Sequence, residues 1–394
     1  MNRNITSFAL ILTLGLTALL TACGGGGGGG SAPAPPSPPG PTYSEHLYVG
    51  NSADTNISQY TINTSIGNLT AKTPASVNTS GRQNWVAISP DGNYPYTTNK
   101  DVSTVPFTHK VSQFRIEDDG TLTKIADYTT GDDPWGVALN PAGTFLYVAN
   151  SSDGTITQFT VNKTDGTLAP NGLAQTATPA LTTPQVIAID PSGQFLYVTD
   201  FFNNRIALYT IEADGTLLHV NSINHSTTAP ISSPLNMAIE PTGKYLYIAN
   251  LGSDNISVFG INSLNGSLAA LGNAGSGSGP GADLSSLVID SAGENLYSTN
   301  NLDGTISHFS IDPTTGLLTQ ASLDIDIDSS SLAASPYAIA ISPGGDFLYA
   351  TDDGSATPKV YAFQIGANGA LINLNSSIEA IADPWSIATV GITR

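Results

Sequence analysis

Aromatic rings and neutral hydrogen-bonding groups occupy the positions at which this sequence could do chemistry. The sequence repeats about every 50 residues, and these groups occupy the same position in successive repeats, six residues before a recurring proline or its equivalent. We call this set the first column: Asn84, Trp135, Gln185, Leu235, Ser285, Tyr337 and Trp385. Trp85 and Asn236 come one residue later, so every tryptophan lies in or beside this column. Aromatic faces and neutral amides are typical of sites for a neutral or weakly charged ligand, such as a glycan or an aromatic compound. In the alternative interpretation, the rings have only a structural role: they fill the centre of the fold and pack its repeats together.

Groups that could transfer a proton are sparse at these positions. A second set of equivalent positions follows directly after the Asn or Asp that ends the repeated sequence phrase. Asp353 is the single acidic residue in this set. Arg205 could bind an anionic ligand, although a surface arginine flanking a hairpin is the favoured alternative. A catalytic site would therefore have to use weak candidates, namely Arg205, Gln185, Asn236 and Asp353. The histidines fall in or next to strands, where a structural role is favoured over catalysis: His46, His109, His219, His225 and His308.

Metal and cofactor sites are not expected from this sequence. Its single cysteine excludes an internal disulfide and any multi-cysteine metal site. Several Asp-Gly pairs could be calcium loops, but each pair lies where a tight turn is already required. The alternating run at 324–328 could also bind calcium, but an outer strand whose exposed face is charged is the favoured interpretation.

The charge balance excludes some classes of partner. Asp and Glu total 31 against 12 Lys and Arg, which gives a net charge of −19. A nucleic-acid-binding protein needs a basic patch, so nucleic acid is not an expected partner. There is also no glycine-rich phosphate-binding loop ending in Lys-Ser or Lys-Thr, which disfavours a nucleotide triphosphatase or kinase.

The first 42 residues are expected to direct export and membrane anchoring and not to be part of the folded domain. Residues 1–22 have a positive start and a short apolar run, the pattern of a signal peptide. The run ends at Cys23 in a sequence that resembles the lipobox of bacterial lipoproteins, which implies lipidation of Cys23 and attachment to a membrane. Gly24 follows, and similarity to Gram-negative sorting favours the outer membrane, with the periplasmic or external face left open. Residues 23–42 are rich in glycine and proline and predict a tether. An ordinary signal peptide with a chance cysteine is the alternative.

The rest of the chain, 43–394, repeats one phrase: an apolar run, Pro-x-Gly, then Leu-Tyr, two small or branched residues, and Asn or Asp. Successive copies are 50 to 52 residues apart, at Pro90, Pro141, Pro191, Pro241, Ser291 and Pro343. A period near 50 with several strands per unit predicts a propeller. Proline and glycine suit the first turn of each unit, and Asp-Gly or Asn-Gly suits the later hairpins.

Counting the units predicts an all-β, seven-bladed propeller with four strands in each blade. The first unit, beginning near His46, lacks an innermost strand, and the last segment, 384–390, resembles an innermost strand with nothing after it. Pairing the C-terminal strand with the N-terminal blade would complete the seventh blade and remove the open edge of the ring.

The Leu-Tyr-Val-Ala-Asn phrase at 146–150, its copy at 196–200 and the Pro-x-Gly spacing resemble the seven-bladed propeller lactonase family, which includes a type of 6-phosphogluconolactonase. The resemblance covers 43–394 and implies an active site at the channel mouth, built from a His, an Arg and an acidic residue. Here Gln185 stands in the position of that His, Leu235 in that of the Arg and Leu251 in that of the acid. Glutamine is not a base at neutral pH, and leucine offers no hydrogen bond.

The sequence therefore favours an extracytoplasmic lipoprotein that binds rather than catalyses. Its expected partners are a small neutral ligand, a glycan or another envelope protein, in addition to the membrane. The expected ligand-binding residues are those of the aromatic and amide column: Trp85, Trp135, Gln185, Asn236, Tyr337 and Trp385. The competing hypothesis is an active hydrolase of a sugar or aryl lactone with a relocated site. A third hypothesis is a passive scaffold.

Overall fold

The structure is a computed structural model that describes residues 43–100, 108–172, 180–224, 227–276, 281–328, 334–355 and 357–393. The predicted signal peptide (1–22), tether (23–42) and lipidation site Cys23 lie outside the described residues, as does His225. Within the described residues, no helix is long and apolar enough to cross a membrane.

The described residues form seven antiparallel sheets, each a blade whose strands we call A to D from the inside outward. The A strands of blades 1 to 7 are β29 (Pro384–Thr393), β4 (Arg82–Ile88), β8 (Pro134–Leu139), β12 (Pro184–Ile189), β16 (Pro234–Ile239), β20 (Leu284–Ile289) and β25 (Pro336–Ile341). The B strands are β1 (Tyr43–Asn51), β5 (Pro95–Lys100), β9 (Phe145–Asn150), β13 (Phe195–Asp200), β17 (Tyr245–Asn250), β21 (Asn295–Asn300) and β26 (Phe347–Asp352).

The two outer positions of the blades complete the sheets. The C strands are β2 (Asn56–Ile62), β6 (Lys110–Ile116), β10 (Thr155–Val161), β14 (Arg205–Ile211), β18 (Asn255–Ile261), β22 (Thr305–Ile311) and β27 (Lys359–Ile365). The D strands are β3 (Leu69–Asn78), β7 (Leu122–Thr129), β11 (Leu168–Pro170), β15 (Leu217–Asn224), β19 (Leu268–Gly275), β23 (Leu318–Gln320) with β24 (Ile325–Asp326), and β28 (Leu371–Glu379). A single turn of 3-10 helix, Ala367–Gly369, precedes β28.

The seven A strands form a closed ring, which confirms the predicted seven-bladed propeller. Each A strand contacts the A strands of the blades before and after it, and β29 contacts both β25 and β4. The run at 324–328 supplies β24, which pairs with β22 as an outer strand. Among the described residues, no group of three or more acidic, His or Cys side chains is arranged to hold a metal ion.

The ring is closed by the C-terminal strand, as predicted. Strand β29 pairs antiparallel with β1, from Tyr43 opposite Thr393 to Asn51 opposite Pro384, with one register shift between Gly50 and Asn51. Blade 1 is thus made from both ends of the described chain. Because the pairing is antiparallel, Tyr43 lies at the end of the blade opposite to Pro384 and Trp385.

Adjacent blades are joined by the tyrosine of the repeated Leu-Tyr phrase. Its buried hydroxyl donates a hydrogen bond to the carbonyl of a glycine in the next blade, at 2.8 Å between Tyr147 and Gly215 and at 2.6 Å between Tyr96 and Gly166. The same bond recurs in the other five blades, from Tyr48, Tyr197, Tyr247, Tyr297 and Tyr349.

The acceptor glycine must be a glycine for two reasons. Gly215 has a φ of +83°, and a Cβ added there would lie 2.2 Å from the Phe145 ring of the preceding blade. A side chain would therefore strain the backbone and push the two blades apart.

Candidate functional site

A β-bulge near the start of each A strand shapes the central channel. In blade 3, Pro134 pairs with Asn150 but the next pair is Val137 with Val148, so strand A carries one extra residue. The same shift occurs in all seven blades. Bulges re-aim side chains, and here two consecutive positions of a strand can face the channel. This explains why the column residue and the residue after it both contribute to the site.

The channel contains a cavity of about 160 Å³ with two chemically different walls. Blades 7, 1, 2 and 3 contribute the aromatic wall, which consists of Tyr337, Trp385, Trp85 and Trp135. Blades 5 and 6 contribute an aliphatic and hydroxyl-amide wall that includes Leu235, Asn236, Ser285 and Ser286. Five of the six predicted ligand-binding residues therefore come together in one place.

The aromatic wall is a stack that remains partly accessible. The Tyr337 and Trp385 rings are stacked at 5.2 Å with 19° between their planes, and Trp135 lies 5.9 Å from Trp385 at 42°. All four rings of the wall are half-buried. A surface of this kind can pack against a flat or apolar ligand face, since aromatic pairs prefer stacked or tilted contacts.

The opposite wall supplies hydrogen-bonding groups, of which Ser285 is already engaged, since its Oγ lies 2.9 Å from Thr299 Oγ1. Asn236 Nδ2 donates to Ser286 Oγ at 3.3 Å, at the long end of the range. Ser285 Oγ donates to the Pro336 carbonyl at 3.1 Å. Ser386 also borders the cavity, but its hydroxyl is buried against Gly50 and has no hydrogen-bond partner among the described residues. Ser286 and Ser386 escaped the sequence analysis because nothing in the sequence marks the bulge.

Gln185, the sixth predicted ligand-binding residue, does not border the cavity. Its side chain is buried, and its Oε1 has no hydrogen-bond partner within the described part of the chain. Blade 4 supplies none of the cavity wall. Gln185 is therefore the one predicted ligand-binding residue that does not line the cavity.

Arg205 is a buried structural residue rather than a surface arginine. Its Nε and a terminal nitrogen each lie 2.8 Å from Asp200 Oδ2. The guanidinium also donates to the Ala180 carbonyl, and Asp200 accepts from the backbone N–H of Thr183 at 2.9 Å. Arg205 therefore closes the B–C hairpin of blade 4 and is not positioned on the cavity wall.

Asp353 lies on the rim of the channel. In six blades the residue after strand B donates its backbone N–H to the residue before strand A, as Asp353 does to the Ser335 carbonyl at 3.2 Å. These residues form the rim: Ser52, Ser151, Phe201, Leu251, Asn301 and Asp353. Burial, followed by the carboxylates of Asp352 and Asp383, raises the pKa of Asp353 to about 6. Burial, with a smaller contribution from Asp353, raises the pKa of Tyr337 far above its ordinary value.

The four described histidines lie away from the cavity wall. His46 is buried against the Gly120 turn, and burial, then Lys72, lowers its pKa to about 4. His308 stacks on Tyr297 at 5.0 Å. His219 packs edge-on against a tyrosine, and His109 lies 3.8 Å from an aspartate. Three of the four, His46, His109 and His308, are buried rather than at the surface, and none of the four lines the cavity.

Comparison with known proteins supports the propeller. A family model described as lactonase, seven-bladed β-propeller, matches residues 42–183 and 174–282. A search of curated proteins finds no match. Among solved structures, a periplasmic gluconolactonase from Pseudomonas aeruginosa is similar, with a TM-score of 0.74 and 20% identity over 89% of this chain and 99% of that chain. A structure from Bacteroides fragilis, described as a candidate 6-phosphogluconolactonase, has a TM-score of 0.72 and 21% identity over 88% of this chain and 98% of that chain. At these identities the likeness carries the fold alone.

Proposed function

Because the chain belongs to the seven-bladed β-propeller lactonase family, we propose that its function is seated in the channel cavity, as a binding site for a small ligand. The observation that carries this proposal is the two-walled cavity itself. A stack of half-buried rings faces hydroxyl and amide groups across about 160 Å³. A neutral glycan or an aromatic compound could lay a face against the rings and hydrogen-bond to Asn236, Ser285 or Ser286.

Binding is favoured over hydrolysis by the chemistry of the cavity wall. Its residues include no Asp, Glu, His, Lys or Arg, so the wall itself holds no base that titrates near neutral pH. A phosphorylated sugar lactone carries about two negative charges, which Arg or Lys normally meet. This wall offers none, and the chain as a whole is strongly acidic.

The cellular setting is part of the proposal. Lipidation at Cys23 would anchor the protein in the cell envelope, most simply at the outer membrane, where a glycan or another envelope protein is within reach. The Pseudomonas relative is described as periplasmic, which is compatible with an exported protein. Tyr43 lies at the end of blade 1 away from the ring of tryptophans. Labelling with radioactive palmitate tests the anchor, because a Cys23→Ser variant should lose the label.

A ligand titration followed by tryptophan fluorescence tests the binding site. All three tryptophans border the cavity, so a bound ligand should change the emission directly. Screening neutral oligosaccharides and aryl compounds should identify ligands whose affinity falls about tenfold in Trp135→Ala, since aromatic residues dominate binding energies. Tyr43→Ala removes a 55% exposed ring at the other end of blade 1 and should leave binding unchanged. Absence of binding across the panel would leave the passive scaffold as the better description.

A second function, hydrolysis of an unphosphorylated lactone, is favoured by one observation. The carboxyl of Asp353, with its pKa raised to about 6, is suited to act as a general base near neutral pH. Asn236 on the cavity wall is a candidate to hydrogen-bond a developing oxyanion. Assay of sugar and aryl lactones should then give a rate that rises with pH through about 6 and is lost in Asp353→Asn. Turnover that persists in this variant would exclude Asp353 as the base.

A further inference from the structure

Acidic side chains dominate the electrostatics of the channel mouth. The cavity wall contains no basic side chain, and among the six described residues that form the rim, Asp353 alone is charged. The charged groups that act on Asp353 are Asp352 and Asp383, which are both acidic. In blade 2 the corresponding position is Lys100, whose ammonium lies 2.9 Å from Asp133 and is partly neutralised by it.

The aromatic wall adds to this negative character. The faces of Trp and Tyr rings carry the negative part of the ring quadrupole, and they attract cations within about 6 Å. Four such rings border one cavity, and the backbone N–H of Asp353 bonds to the Ser335 carbonyl, two residues before Tyr337. A cation in this cavity would therefore meet aromatic rings on the wall and the carboxylate of Asp353 on the adjoining rim.

Polar groups of the opposite wall complete the site. Asn236 Nδ2 donates to Ser286 Oγ at only 3.3 Å, so both groups can also hydrogen-bond to a neutral substituent of a ligand.

We propose that the channel mouth selects organic monocations, that is, ring-bearing ligands with a protonated or quaternary amine, over neutral and anionic ligands of the same shape. This inference rests on the proposed function and narrows its ligand class. Asp353 supplies the charge, the four rings supply the faces, and Asn236 with the serines binds neutral substituents. The net charge of −19 adds a long-range attraction for cations.

Three soluble probes with one aryl group and different charges provide the test: benzyltrimethylammonium, benzyl alcohol and phenylmethanesulfonate. Each is titrated into the full chain, with tryptophan fluorescence and calorimetry as readouts. The cation should bind about tenfold more tightly than the alcohol, as a partly desolvated cation–π contact and a nearby carboxylate predict. The sulfonate should bind most weakly.

Variants identify the source of the preference. Asp353→Asn should reduce the preference for the cation over the alcohol from about tenfold to about threefold, the part that the rings supply, while Asp353→Glu keeps the full preference. Glu212→Gln is the matched control, because it removes the same charge from the turn after β14, at the other end of its blade. Thermal unfolding shows whether each variant is folded.

The pH dependence gives an independent readout. A quaternary amine keeps its charge at every pH, so any change must come from the protein. Ionised Asp353 is the form that attracts the cation, and the carboxylates facing it are those of Asp352 and Asp383. Affinity for benzyltrimethylammonium should therefore fall as the pH drops through about 6, and affinity for benzyl alcohol should not.

The outcomes separate this inference from the proposed function. Equal affinities for the cation and the alcohol would overturn the cation preference while leaving a binding site in place. A preference that is undiminished in Asp353→Asn would overturn the assignment to Asp353. If none of the probes binds, and the glycan and aryl panel also fails, both the inference and the proposed function are wrong.

Discussion

Deleting residues 383–394 should unfold the entire propeller rather than fray one blade. The deletion removes β29, whose pairing with β1 spans nine positions from Tyr43 to Asn51. Val390 and Ile392 are buried, and burying each such side chain contributes about 1.5–3 kcal/mol. The backbone hydrogen bonds to β1 add roughly 0.5–1.5 kcal/mol each. The sum is about 10 kcal/mol, which is comparable to the whole stability of a typical domain.

The loss of stability should extend to the whole ring, because the pairing of β29 with β1 is what closes it. Without β29, the fully buried Leu47 and Val49 of β1 would be exposed, and β25 and β4 would lose the strand between them. Circular dichroism in the near ultraviolet and thermal unfolding provide the assay. The truncated chain should lack a native spectrum and a cooperative transition, whereas a chain lacking only Arg394 retains all of β29 and should unfold normally. A cooperative transition within a few degrees of the intact chain would refute the closure argument.

Three further perturbations follow from single contacts. Tyr147→Phe removes the hydroxyl that bonds Gly215 and leaves that carbonyl buried, so denaturant unfolding should show a loss of about 1–3 kcal/mol. Arg205→Met leaves the Asp200 carboxylate buried without its cation and should cost about 3–5 kcal/mol, with ligand affinity unchanged in the folded fraction. Asp353 has a raised folded-state pKa, so the folded protein retains a proton that the unfolded chain loses, and stability should decline as pH rises from about 4 to about 6. In Asp353→Asn that part of the pH dependence of the free energy of unfolding should disappear.

The candidate site was only partly predictable, and the reason is geometric. Trp135, Tyr337 and Trp385 were found because they share one position of the repeat, and a ring of equivalent strands must bring equivalent positions together. Gln185 shares that position but does not border the cavity, since its orientation depends on local packing around the bulge. Ser386 was missed because the extra residue of the bulge is visible only in the strand register.

Arg205 shows a different limit. Its place beside a hairpin favoured a surface position, but its charge is buried, because it pairs with Asp200 of the same hairpin, at the position where blade 3 has Asn150. A pairing of this kind depends on two side chains reaching each other in three dimensions. The sequence shows both residues and does not show that they are buried together.

The sequence by itself determined the architecture. Turn residues and alternating strands act locally, and a period near 50 residues with an unpaired strand at each end leaves a closed seven-bladed ring as the consistent solution. Only the tertiary structure decided the chemistry of the mouth. It placed Tyr147 on a glycine in the next blade, put four rings on one wall, and raised the pKa of Asp353 by burying it beside two other carboxylates. Such effects depend on distance and on exclusion of water between segments far apart in the chain, which no local pattern records.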